Sequence, residues 1–260
     1  MVIIFQKSVV KPYRTGWRTL LCLLVCCTLF LFRQADAAAA AHGSDGPRII
    51  QFSGYEWVLK TGYRAPGKNH WSGDNVWVDQ EGLLHLKITH TGKRWHCAEL
   101  MTVNTFGYGD FQFQVIAPLG QLDPNLILGL FVYPSDENPY EDSELDIEIA
   151  KWGDQAGKPG NYTVASSKET HRFHFFLEGN YSTHQFRWSR EKVLFQSFHG
   201  HDTADKEPFS RWVYNADRHH GKNAAPPVRV HMNLWLFLGK APWYGQEQEV
   251  IIKGFVFEPL

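Results

Sequence analysis

Beyond residue 50 the chain alternates apolar and polar positions in short runs. The period is two rather than 3.6, which is the signature of half-buried strands. The runs are rich in β-branched and aromatic residues and are separated by Gly, Asn, Asp and Pro. They predict strands at 56–60, 75–79, 83–89, 97–103, 108–116, 127–133, 144–150, 162–166, 171–176, 185–189, 192–198, 228–235 and 249–258. No helical pattern and no repeat interrupts them. That many strands without helices imply an all-β chain, with antiparallel sheets packed as a two-sheet sandwich. Two polar segments stand apart, 134–142 and 199–227. The second is long for a structureless connection, so it is a functional loop or conceals short structure.

One strand departs from the usual polar face. In Glu144-Leu145-Asp146-Ile147-Glu148 the alternation is strict. Leu145, Ile147 and Ile149 share one face and enter the core, whereas Glu144, Asp146 and Glu148 share the other. Three carboxylates in a row repel one another and contribute nothing evident to folding. An acidic solvent face or a calcium site would explain them structurally. Glycoside hydrolysis explains them chemically: it needs one ionised and one protonated carboxyl group, and crowding like charges separates the two roles. Residues i and i+4 on a flat strand lie about 13 Å apart, whereas a retaining mechanism wants carboxyl groups about 5–5.5 Å apart. The strand must therefore bend, as it would in the floor of a concave cleft.

The first 37 residues read as an export signal. Lys7, Lys11, Arg14 and Arg18 precede an apolar run at 20–32, too short for an ordinary membrane span, and Ala35-Asp36-Ala37 supplies small residues for cleavage. An uncleaved anchor is the alternative. Residues 38–50 form a short linker, and 51–260 form one domain large enough for a single core. Three of the four cysteines fall in the leader, so Cys97 has no partner inside the domain and is expected to be buried. The formal net charge of -1 offers no basic surface for nucleic acid or an anionic membrane. The expected location is secreted or periplasmic, and the expected state is monomeric.

The acidic strand resembles the signature of glycoside hydrolase family 16, Glu-x-Asp-x-Glu on a concave jelly-roll sheet. Other matches follow in the family's order. Ala98-Glu99-Leu100-Met101-Thr102 and Phe106-Gly107-Tyr108-Gly109 look like its Ala-Glu-Leu-Arg-Thr strand and Tyr-Gly turn. Leu130-Phe131-Val132-Tyr133 looks like its aromatic strand, and His231-Met232-Asn233-Leu234-Trp235 is similar to its late Asn-Leu-Trp strand. The resemblance implies a jelly roll with a concave substrate cleft, a β-linked polysaccharide substrate with β-glucan favoured, and no required cofactor. It also admits a structural calcium. Under it Glu144 is the nucleophile, Glu148 the acid/base and Asp146 the assistant to Glu144. Glu99, Trp95, Phe131, Trp152, Asn161, Asn233 and Trp235 become candidates for holding sugar.

The departures concern the surroundings. Met101 replaces the arginine common in its strand, Asp142 is aimed by alternation at the cleft, and Trp152 shares the parity of Glu148. His199-Gly200-His201-Asp202 and His219-His220 match no closed zinc pattern and read as solvated loop. Asn161-Tyr162-Thr163 and Asn180-Tyr181-Ser182 are formal glycosylation sequons. Two other readings stay open on the same fold, a non-catalytic carbohydrate-binding protein and a transglycosylase.

Overall fold

A computed structural model describes residues 46–136, 138, 143–216 and 226–260. The leader, Asp142 and His219-His220 therefore lie outside the described residues. The domain consists of two antiparallel sheets. The first runs β1 (Ile49–Phe52), β2 (Tyr55–Leu59), β7 (Arg94–Thr102), β16 (Val228–Leu236), β9 (Leu126–Pro134), β10 (Leu145–Ala150), β11 (Gly160–Val164) and β12 (Glu169–Phe173). The second runs β5 (Val76–Val78), β6 (Leu84–Thr91), β17 (Gln248–Pro259), β8 (Gly109–Ile116), β13 (Tyr181–Trp188), β14 (Lys192–His199) and β15 (Ser210–Asn215). A hairpin at the end of β6 and the start of β7 joins the sheets. A small hairpin of β3 (Gly62–Arg64) and β4 (Asn69–Trp71) docks on β7 through a parallel pair.

The core lies between the sheets and is aromatic. Trp57 meets Phe255 edge-on at 5.7 Å, and Tyr162 stacks on Phe195 at 5.1 Å. Leu100, Leu130, Ile147, Phe111, Phe113, Phe186 and Trp188 are fully buried among them. These are the inward members of the alternating runs, so period-two patterning and sandwich packing agree. All thirteen expected strands are present. The four additional ones are short or concealed: β1, β3 and β4 have three or four residues each, and β15 lies inside the polar segment 199–227. In β15 the inward positions Trp212 and Tyr214 flank Val213, and this unbroken apolar triplet hides the period. The domain also starts earlier than residue 51. Ile49 and Ile50 pair with Val58 and Trp57, and Arg48 is ion-paired to Asp74, so the linker gives up its last residues to the sheet.

One buried group gives the fold a pH dependence. His184 on β13 has no exposure, and its ring nitrogens lie 3.0 Å from Ser182 Oγ and 2.8 Å from Ser197 Oγ. Tyr162 from the opposite sheet donates to the same Ser197 hydroxyl at 2.7 Å, which ties the two sheets by a polar bridge. Burial pushes the imidazole down to about 3. The unfolded chain takes up this proton below about pH 6.5 and the folded one does not. Stability from this site is thus present above pH 6.5 and declines as pH falls toward 3, by about 1.4 kcal/mol per pH unit. Urea titrations at pH 7 and pH 5 should differ by about 2 kcal/mol on this account. His184→Gln, even if less stable at pH 7, should show a smaller difference; an equal difference would assign the acid sensitivity elsewhere.

Candidate active site

The carboxylate trio stands in the first sheet where sequence parity places it. Leu145, Ile147 and Ile149 are buried in the core, and Glu144, Asp146 and Glu148 face the other way. The main-chain carbonyl of Glu144 accepts from Ala165, which extends the pairing one residue before the strand proper. Register then sets the neighbours. Glu148 lies opposite Gly129 on one side and Asn161 on the other, Gly129 opposite Asn233, and Asn233 opposite Glu99. The next row reads Thr163, Asp146, Phe131, His231 and Met101. Glu148, Gly129, Asn233 and Glu99 of the first row and Asp146, Phe131 and His231 of the second floor a cavity of about 420 Å³, walled also by Glu144, Lys60, Ala65, Pro66, Tyr133 and Trp235.

Burial and mutual repulsion divide the acids. Asp146 is raised well above the ordinary aspartate range by burial and by the charges of Glu144 and Glu148, and it shares a hydrogen bond with Glu144. Glu148 is pushed up to about 8 by burial and by Glu144, with Arg172 opposing. At neutral pH Glu148 therefore carries a proton it can give away. Glu144 thus stands beside two carboxyl groups whose ionisation burial and mutual charge oppose, which is how crowded acids are driven into different roles.

A second charged group sits across the floor. Burial disfavours ionisation of Glu99, but His231 and Lys60 outweigh it and hold its carboxyl below the ordinary range. Lys60 Nζ donates to Glu99 Oε2 at 2.7 Å and lies 4.3 Å from the centre of the Trp71 ring. His231 Nδ1 is 3.3 Å from Glu99 Oε1, and its ring stacks on Phe131 at 4.9 Å. Asn233 Nδ2 donates to Glu99 Oε2 at 3.5 Å, while its Oδ1 accepts from the Gly129 amide at 3.1 Å. The missing arginine at Met101 is thus answered from elsewhere: His231 is the cross-strand partner of Met101, and Lys60 follows β2. Sequence reading did not single out His231, Lys60 or Gly129. His231 shares the parity of Asn233, and a mid-strand glycine marks close approach; Lys60 becomes visible only through the β2–β7 register.

The structure brings seven of the ten candidates to the cavity wall: Glu144, Asp146, Glu148, Glu99, Phe131, Asn233 and Trp235. The other three stand behind or away from it. Asn161 is only 1% exposed. Its amide donates to the carbonyls of Glu148 and Ala150, and its oxygen accepts from Trp152 Nε1 at 3.3 Å. It fixes the strand that carries Glu148, and that burial also closes its sequon to a glycan. Trp152 adopts φ +55° at the turn after β10, so strand parity no longer aims it; it packs edge-on to Trp235 and Phe237. Trp95 lies in the β6–β7 hairpin against His90, beyond the stretch of β7 that pairs with β16. The regular pairing that would have aimed it at the cleft ends at Ala98. Cys97 is buried, its thiol donating to Asn69 Oδ1 and pushed up to about 12 by burial. Among the described residues no three His, Cys, Asp or Glu side chains gather as a metal site.

The architecture is the jelly roll of glycoside hydrolase family 16 enzymes. A β-glucanase of Bacillus licheniformis superposes with a TM-score of 0.59 at 19% identity, over 84% of this chain and 100% of that one. A glycoside hydrolase family 16 endo-glucanase from Bacteroides ovatus gives 0.57 at 14% identity, over 78% and 94%. An immunostimulatory antigen and pseudo β-1,3-glucanase of Mycobacterium tuberculosis gives 0.60 at 16% identity, over 77% and 89%. No protein-family model and no curated protein matches the sequence.

Proposed function

We propose that the chain is an exported, retaining endo-glycoside hydrolase that cleaves a β-linked glucan. The observation that carries this reading is the gathering of Glu144, Asp146 and Glu148 in one cleft, where burial and mutual charge oppose ionisation of Glu148 and Asp146. The glucan is favoured because the solved β-glucanases share the fold. Export is supported by the basic and apolar leader.

In the first step a Glu144 carboxylate oxygen attacks the anomeric carbon. The bond to the leaving oxygen breaks, and Glu148 gives that oxygen its proton. A glycosyl ester of Glu144 results. In the second step water attacks the same carbon, its proton passes to Glu148, and Glu144 departs as carboxylate. Asp146 lends its proton to Glu144 as a hydrogen bond and keeps the nucleophile oriented. Glu99, held ionised by Lys60 and His231, accepts sugar hydroxyls, and Phe131 and Trp235 offer rings to pyranose faces.

The test is a panel of β-1,3-glucan, mixed-linkage glucan and galactan without added cofactor, followed by proton NMR of the first-formed product. New reducing ends from a β-glucan, first seen as the β-anomer, are expected. A first-formed α-anomer would show inversion. Binding without turnover would make the chain a carbohydrate-binding protein, and transfer to added acceptor sugar in preference to water would make it a transglycosylase.

A further inference from the structure

Trp243 and Tyr244 are adjacent, large and aromatic, yet 57% and 59% exposed. Folding gains little from such rings, so their position asks for another occupant. Their backbone is firmly held. Both main-chain amides donate to the buried carboxylate of Asp123, at 2.8 and 2.9 Å. Asn125 Nδ2 donates to the carbonyl of Ala241 at 2.7 Å, and the Asn125 carbonyl accepts from Phe237. Gln155, on the loop that follows the catalytic strand, donates to the Tyr244 hydroxyl at 3.4 Å. The two rings thus stand on a pedestal already fixed before any ligand arrives, which lowers the ordering cost of binding.

The pedestal also has a direction. Strands β10 and β16 both pair antiparallel with β9 and so run the same way. Along them Glu144 comes first and Glu148 later; Trp235 lies one row past Glu148, level with Ala150. Trp235 touches Trp152, which touches Phe237, and the chain from Phe237 leads on to Trp243. The aromatic path therefore leaves the cleft at the Glu148 end. The path starts at Trp235 in the cavity wall and continues outside the cavity, where Asp123, Asn125 and Gln155 hold the pedestal.

We infer that Trp243 and Tyr244 form a stacking platform for a β-linked glucan chain, beyond the catalytic cavity. The inference rests on the hydrolase reading for its ligand. The platform selects long chains and sets where along them the cut falls.

The test compares Glu144→Gln with the same chain also carrying Trp243→Ala and Tyr244→Ala, and with Trp243→Phe, Tyr244→Phe, in native gels containing soluble β-glucan. Retardation should weaken about tenfold in the alanine variant and largely persist in the phenylalanine one. In the otherwise unaltered chain the alanine pair should raise KM for polysaccharide more than it lowers kcat, and shift the product sizes. Equal retardation of all variants would overturn the platform. If the unaltered chain cleaves no glucan while retardation still depends on the two rings, the hydrolase reading falls and the platform stands. Neither cleavage nor retardation would overturn both.

Discussion

Glu144→Gln is expected to lower kcat on β-glucan by about 10³-fold or more, because an amide in that place cannot form the glycosyl ester. Glu148→Gln should cost about 10²–10⁴-fold through loss of proton transfer, and should behave differently in two ways. A glycoside with an acidic aryl leaving group needs no proton in the first step, so Glu148→Gln should retain much of the bond cleavage on it, whereas Glu144→Gln should not. The pH profile should also change. With Glu148 pushed up to about 8, activity should hold through neutrality and fall as pH rises past that value. The glutamine variant should lose this alkaline limb. Stability should move the opposite way. The folded chain keeps the Glu148 proton that the unfolded chain releases above about pH 4.5. The carboxyl therefore weakens the fold progressively from about 4.5 to about 8, by at most about 1.4 kcal/mol per pH unit. Thermal melting at pH 8 should find Glu148→Gln more stable than the unaltered chain. Undiminished cleavage by both variants would remove the trio from the chemistry, and a lower melting temperature for Glu148→Gln would contradict the buried, protonated state.

What was legible in the sequence was whatever a period of two can encode. Strand alternation separated Leu145, Ile147 and Ile149 from the three acids, and each landed on the face expected. The same rule misplaced Trp152 and Trp95 because it holds only while the strand lasts. Trp152 turns at positive φ, and Trp95 belongs to a hairpin that has left the sheet. Asn161 had the correct parity but not the expected role, since whether an amide meets sugar or backbone depends on what its neighbours leave unsatisfied. Partners separated by more than a hundred residues, such as Glu99 with His231, follow from sheet order. Alternation does not encode sheet order; the ordered family resemblance supplied that part for Glu99 and Asn233 and was silent on Lys60.

Gly129 shows how much of the site depends on an absent side chain. It sits in the row between Glu148 and Asn233, and its amide holds Asn233 Oδ1. A Cβ there would lie 2.5 Å from that oxygen and 3.4 Å from the Phe131 ring. Asn233 would have to swing away, giving up its bond to Glu99, and the new methyl group would fill the floor beside Glu148. Gly129→Ala is therefore expected to reduce kcat/KM by about 10²-fold, as misplacement near the reacting atoms does, and to destabilise the fold by about 1–3 kcal/mol through overpacking. Steady-state kinetics and thermal melting of the single variant and of Gly129→Ala with Asn233→Ala separate the two effects. Shortening Asn233 relieves the clash, so the double variant should regain much of the lost stability, while activity stays low because Glu99 has lost a partner and the floor remains filled. Recovery of both together would reduce Gly129 to a packing role, and a single variant with full activity would show that the floor beside Glu148 tolerates a side chain.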